Sequence, residues 1–162
     1  MSNDLALRHE TKGLPDLADE GIESFAPYLM NRILRRYNTR MDKEVSAHGL
    51  NVPRLRVLAA LVAEGPQTIN NLAVFAISEQ SSVSRLVDQM EAEGLVTREV
   101  SPQDSRVRIA SLTKLGRQRF DESLPLMRAA EADMLAGFSA AERAMCIEIL
   151  RRMLHNIREN PI

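Results

Sequence analysis

The chain has 162 residues, the length of one domain or of a small domain with helical extensions, and its one cysteine, Cys146, excludes an intrachain disulfide. Apolar residues make up 44% of it and Trp is absent, so a core has to be built from Leu, Ile, Val, Ala and Met. A net charge of −1 excludes a uniformly basic nucleic-acid coat, and the distribution of charge carries more information than its sum.

The chain opens with "MSNDLALRHETKG", which has no long apolar run, so no secretory leader is expected. No window approaches the roughly 18 apolar residues of a membrane span, and a cytoplasmic protein is the expectation. Residues 1–24 carry a net charge of −4 without periodicity and are read as an N-terminal arm. A long helix is expected from Phe25, with Pro27 in its first turn. Phe25, Leu29, Ile33, Tyr37, Met41 and Val45 recur every fourth residue and make one apolar stripe. Arg32, Arg35, Arg36, Arg40 and Lys43 take much of the remaining surface, and Gly49 stops the helix.

Asn51 and Pro53 open a second helix with Leu55, Leu58, Leu61 and Val62 on its apolar face. "EGPQT" breaks it, and Thr68 caps a short third helix through Ile69, Leu72, Ala73 and Ala76. Ser78 is the expected cap of a fourth, in which Val83, Leu86, Val87 and Met90 share one side. Gly94 and Leu95 close it. "VTREV" (96–100) and "RVRIASL" (106–112) alternate like strands across a polar turn, and their alternation places Arg106 and Arg108 on one face. Helical patterning resumes at Thr113 and runs to about Leu135, with a bend expected at Pro125. Gly137-Phe138 breaks it, and Ser139 with Glu142 forms a capping box for a last helix striped by Cys146, Ile149, Leu150, Met153 and Ile157.

The order of residues 51–112, three helices and then a hairpin, has a physical logic. Two short helices joined by a tight turn make a helix-turn-helix when the second presents a small polar outer face. Here that face is Glu79, Gln80, Ser81, Ser82, Ser84, Arg85, Asp88 and Gln89. Short hydrogen-bonding side chains let a helix enter the roughly 12 Å wide major groove and reach base edges. The hairpin is then a wing. Its arginines suit the negative potential of a narrow minor groove, and Asp104, two residues before Arg106, can hold the guanidinium or the turn backbone in a fixed pose. The charge distribution agrees: residues 25–67 and 98–119 each carry a net +4.

The stretch 68–117 resembles the multiple-antibiotic-resistance regulator (MarR) family. The residues that carry the likeness are Leu72-Ala73, "SVSRLVDQMEAEGLV" (82–96), the Asp104-x-Arg106 wing tip and "LTKLG" (112–116). With the flanking helices the resemblance covers about residues 25–158. It implies a mainly α, winged helix-turn-helix fold, three helices plus a β-hairpin wing, with long N- and C-terminal helices forming a dimerisation domain. The boundaries that follow are an arm over 1–24, a helical dimerisation region over 25–50 and 113–162, and a DNA-binding domain over 51–112. It implies a homodimer that acts on double-stranded DNA as a ligand-responsive repressor, with recognition helices about 34–36 Å apart over a pseudo-palindromic site. Gln80, Ser81, Ser82, Ser84 and Arg85 are the expected major-groove residues, and Asp104, Arg106 and Arg108 the wing residues. Glu79 and the serine run make this recognition surface less basic than in many members. A small aromatic or phenolic effector is implied, with Met30, Tyr37 and Met41 as candidate cleft residues beside the plainer reading of core packing.

No metal, cofactor or enzymatic chemistry is expected. His9, His48 and His155 share no ligand spacing, and no nucleophile–base pairing or phosphate-binding glycine loop is present. Cys146 lies on an apolar stripe, where a buried inert thiol is expected rather than an oxidant sensor. The rival function is a winged helix used as a protein-interaction module. The near-neutral recognition helix favours it, and the Asp-x-Arg wing opposes it.

Overall fold

A computed structural model describes residues 21–157. The expected arm over 1–24 lies almost wholly outside the described residues. The chain divides into two compact units between Tyr37 and Asn38, a boundary that falls inside helix α1 (Ala26–Val45).

In the first unit a 3-10 turn at Ile22–Ser24 leads into α1. The Ser24 hydroxyl donates to the Gly21 carbonyl at 2.7 Å. Arg32 lies 5.6 Å from the centre of the Tyr28 ring and 3.6 Å from Glu23. The apolar stripe forms as the period requires, but Phe25, Leu29, Ile33 and Leu34 are all exposed. Met30 and Tyr37 are half-buried.

The second unit holds the core. The end of α1 contributes Met41 and Val45, both fully buried. Helix α2 (Val52–Glu64) begins where the Asn51 side chain accepts from the Arg54 N–H at 3.0 Å. It buries Leu55, Val57, Leu58 and Leu61. Two residues, Gln67-Thr68, then form strand β1 before Thr68 caps α3 (Ile69–Ala76). Helix α4 (Gln80–Ala92) follows, and Leu72 on α3 packs into a core shared with Val83, Val87 and Met90 on α4. Burying a side chain such as Leu58 or Leu72 stabilises the fold by about 1.5–3 kcal/mol.

Strands β2 (Val96–Val100) and β3 (Arg108–Leu112) form the wing, and β1 joins them in an antiparallel sheet of order β1-β3-β2. Gln67 pairs with Ala110 and Thr68 with Ile109, while Val96 to Val100 pair in turn with Leu112 to Arg108. The sheet therefore ties the wing to the residue that starts α3.

Helix α5 (Lys114–Met134) is capped by Thr113, whose side chain accepts from the Gly116 N–H at 3.0 Å and donates to the Gly94 carbonyl at 2.7 Å. Gly116 is required there, because a Cβ would meet the Leu95 carbonyl oxygen at 2.0 Å. Pro125 lies inside α5 without dividing it. The Ser139–Glu142 capping box forms as expected, with the Ser139 N–H donating to Glu142 at 2.7 Å and the Glu142 N–H returning to Ser139 Oγ at 3.3 Å. It opens α6 (Ala140–Ile157), which buries none of its residues.

Candidate nucleic-acid interface

The turn between α3 and α4 decides where the recognition helix begins. Ile77 adopts the left-handed conformation, φ 55°, and ends α3 with its N–H bonded to the Val74 carbonyl at 3.1 Å. Such a conformation is costly for a β-branched residue. The Ser78 N–H is drawn back to the Ala73 carbonyl, also at 3.1 Å. Ser78 is thereby tied to α3, and Glu79 takes the cap position of α4, where its side chain makes no capping bond. The expected Ser78 cap is corrected by one residue for this reason.

Helix α4 then sorts its side chains cleanly. Val83, Val87 and Met90 are fully buried. Glu79, Gln80, Ser81, Ser82, Arg85, Asp88 and Gln89 are exposed, and Ser84 is half-buried. Arg85 donates from Nε to the Ser81 carbonyl at 3.3 Å. It does not pair with Asp88, which is taken by Arg98 on β2. Arg98 also donates to Glu91 from Nε at 2.8 Å and from its backbone N–H at 2.9 Å. Its guanidinium holds the Glu91 carboxyl below the usual range.

The wing tip is built around Asp104. The Val107 N–H bonds to the Asp104 carbonyl at 2.9 Å and the Ser101 N–H to the Val107 carbonyl at 2.9 Å. Asp104 Oδ1 accepts from the Arg106 backbone N–H at 2.9 Å and from Arg106 Nε at 3.1 Å, and Oδ2 accepts from Nη2 at 3.0 Å. The guanidinium, and then the backbone N–H, holds the Asp104 carboxyl below its ordinary range. The clamp orients Arg106 without covering it, since 88% of the side chain stays exposed. Arg108 donates to the Ser105 carbonyl at 2.9 Å.

This geometry corrects one expectation. Arg106 is not in the second wing strand, because β3 begins at Arg108, and the bonds from Val107 and Arg106 to Asp104 keep residues 104–107 in the turn. Strand alternation therefore does not relate the two arginines. They nevertheless line one concavity of about 330 Å³ with Gln80 and Ser84 of α4 and Thr68 and Asn70 at the start of α3. Asn70 was not singled out by sequence. Its only signal was a polar side chain in the first turn of a helix already expected.

Other candidates fall elsewhere. Met41 is fully buried in the core, whereas Met30 and Tyr37 keep partial exposure on α1. Cys146 is half-buried rather than buried, because no residue of α6 is sealed within the chain. Arg56, which the sequence gave no reason to notice, donates to the Ala76 carbonyl and to Asn38 Oδ1, each at 3.3 Å, and ties the end of α3 to α1. Among the described residues no group of three or more His, Cys, Asp or Glu side chains could hold a metal, and no helix is long and apolar enough to cross a membrane.

A helix with a polar outer face, set beside a wing that presents an arginine, is an arrangement shared with known proteins. A sequence model described as the MarR family matches residues 48–107. Across 131 residues, 81% of this chain and 90% of the relative, the sequence is 30% identical to the HTH-type transcriptional regulator MhqR of Bacillus subtilis. The chain belongs to the MarR family. It is 29% identical over 135 residues to the HTH-type transcriptional repressor IacR of Pseudomonas putida, covering 83% of this chain and 81% of that one. The crystal structure of a MarR-family transcriptional regulator from Silicibacter pomeroyi superposes with a TM-score of 0.84 at 43% identity, over 91% of this chain and all of that one. The MarR winged-helix architecture expected from sequence is thus the architecture observed, and the chain is a DNA-binding transcriptional regulator of that family.

Proposed function

We propose that this regulator acts as a homodimeric, ligand-responsive repressor that reads a pseudo-palindromic operator. The observation that carries the DNA reading is the shared concavity, in which Arg106 and Arg108 of the wing stand with Gln80 and Ser84 of the recognition helix. Gln80, Ser81, Ser82, Ser84 and Arg85 are assigned to base edges in the major groove. The clamped Arg106 is assigned to the minor groove, and Arg108 to the adjacent backbone. Asp104 is a positioning residue.

Dimerisation is supported by the apolar surface that the described chain leaves uncovered. Ile147, Ile149, Leu150 and Leu154 on α6 are all exposed, as are Leu29 and Ile33 on α1 and Phe25 just before it. An exposed apolar stripe on a helix, as each of these two is by itself, marks an interaction surface. Repression is supported by the description of IacR. The proposed effector is a small aromatic or phenolic compound, which Met30 and Tyr37 would meet. It would act by favouring one spacing of the two DNA-binding lobes over another.

The test is selection of fragmented genomic DNA by the purified protein beside Arg106→Ala. The expected result is enrichment of a few pseudo-palindromic sites, with affinity for them about tenfold to a hundredfold weaker in the variant. Failure of both proteins to enrich any site at low salt would overturn the reading. The effector is sought separately, as a phenol or hydroxybenzoate that releases the selected fragment.

A further inference from the structure

Four carboxylates lie on or beside the recognition helix, at positions 79, 88, 91 and 93, on a surface assigned to a polyanion. Three of them are neutralised. Asp88 and Glu91 share Arg98. Glu93 is held by Arg54 through bonds of 2.7 and 2.8 Å. Glu79 differs. It is exposed, its side chain does not cap the helix, and among the described residues it has neither an ion pair nor a side-chain hydrogen bond. A free carboxylate beside phosphates weakens sequence-independent binding. It takes the cap position of α4 immediately before Gln80, which lines the concavity with the wing arginines, so its carboxylate is presented at the end of the helix assigned to the bases.

Major-groove base edges supply few donors. Guanine presents the N7 and O6 acceptors and thymine O4, all of which repel a carboxylate. Adenine presents its N6 amino group beside the N7 acceptor, so the second carboxylate oxygen would face a lone pair. Cytosine presents N4 without an adjacent acceptor on its own edge, and is the base whose amino group pairs with Glu or Asp. The neighbouring serines both donate and accept, so they discriminate weakly.

Resting on the DNA reading above, we infer that Glu79 is a specificity determinant that accepts a hydrogen bond from the N4 amino group of a cytosine in each operator half-site. The carboxylate sacrifices general affinity and excludes the acceptor-bearing bases at that position.

The experiment is selection from a randomised duplex library by the full chain and by Glu79→Gln, with melting temperatures recorded for both. Wild type should favour cytosine at one symmetric pair of positions by about tenfold, the usual discrimination at a contacted base pair. The glutamine variant should move that preference to adenine, which matches an amide, and leave the other positions unchanged. A carboxylate that serves only the helix dipole would shift the melting temperature and leave the base preferences alone. Identical preferences in the two proteins would therefore overturn the inference. A general gain in affinity is expected of the variant as well, and by itself, with the base preferences unmoved, it would overturn the inference too. Selection of no site by either protein would instead overturn the DNA reading itself, and the assignment of Glu79 with it.

Discussion

The winged helix and helix α6 are made of similar residues and reach opposite ends. In the winged helix each apolar stripe finds a partner within the chain: Leu58, Leu72, Val83, Val87 and Met90 are fully buried. In α6 an equally regular stripe finds none among the described residues, and Leu150, Leu154 and Ile157 are exposed. Periodicity selects helix in both cases, but only the first region has enough facing surface to complete its core. The second region shows that a regular apolar face can form without the described residues covering it. The winged helix is a finished module, and α6 is a helix whose apolar face stays open among the described residues.

The most severe test of that contrast is Leu72→Ala. Truncation of a sealed core leucine should cost about 2–5 kcal/mol, read as a drop in the urea midpoint of the same size at every protein concentration. Next comes Leu150→Arg, which should convert the proposed dimer to monomer in sedimentation equilibrium. Loss of the second reading head should weaken operator binding by about a hundredfold or more. A variant that stays dimeric would show that the α6 stripe is not the interface. The smaller Ser139→Ala change removes the capping box of α6 and should cost about 1 kcal/mol, measured by denaturation at fixed concentration.

The last test follows from the same cap. The Ser139 hydroxyl, and then its backbone N–H, holds the Glu142 carboxyl below its usual range. A carboxyl with a depressed folded value stabilises above its unfolded value, about pH 4.3, and loses that contribution as pH falls through the folded value. The difference between wild type and Ser139→Ala should therefore be full at pH 7 and smaller at pH 3. A difference that is unchanged with pH would remove Glu142 from the cap.

What the sequence made legible was chemistry that acts within a few residues. Asn51, Thr68 and Ser139 open the helices they were expected to open, because each accepts from an N–H three positions on. The Asp104 contact to Arg106 was legible for the same reason. Three features were not. Ser78 failed as a cap because Ile77 takes a left-handed conformation that its side chain disfavours, and only the surrounding structure compels it. Strand β1 has two residues, too few for a period, and exists only through its pairing with β3. Arg106 alternates with Arg108 in sequence, yet the bonds to Asp104 outweigh the pattern. Of the candidate interface, the exposure of the α4 side chains and the contact at the wing tip could be read in advance. The contribution of Asn70 could not, because it depends on how β1 delivers the start of α3.

Thr68 has a consequence for how the chain can change in length. It is both the strand residue opposite Ile109 and the cap of α3, where it accepts from the Asn71 N–H at 3.2 Å. Wing and helix thus share one anchoring residue. A residue inserted at the tip ahead of Asp104, between 102 and 103, leaves both the pairing of Gln67 and Thr68 with β3 and the Asp104–Arg106 clamp in place, so wing reach can vary there. A residue inserted between Gly65 and Thr68 slips that pairing by one and turns each side chain to the opposite face, misplacing the wing and the base of α3 together. The two ends of one hairpin therefore have unequal tolerance to insertion and deletion.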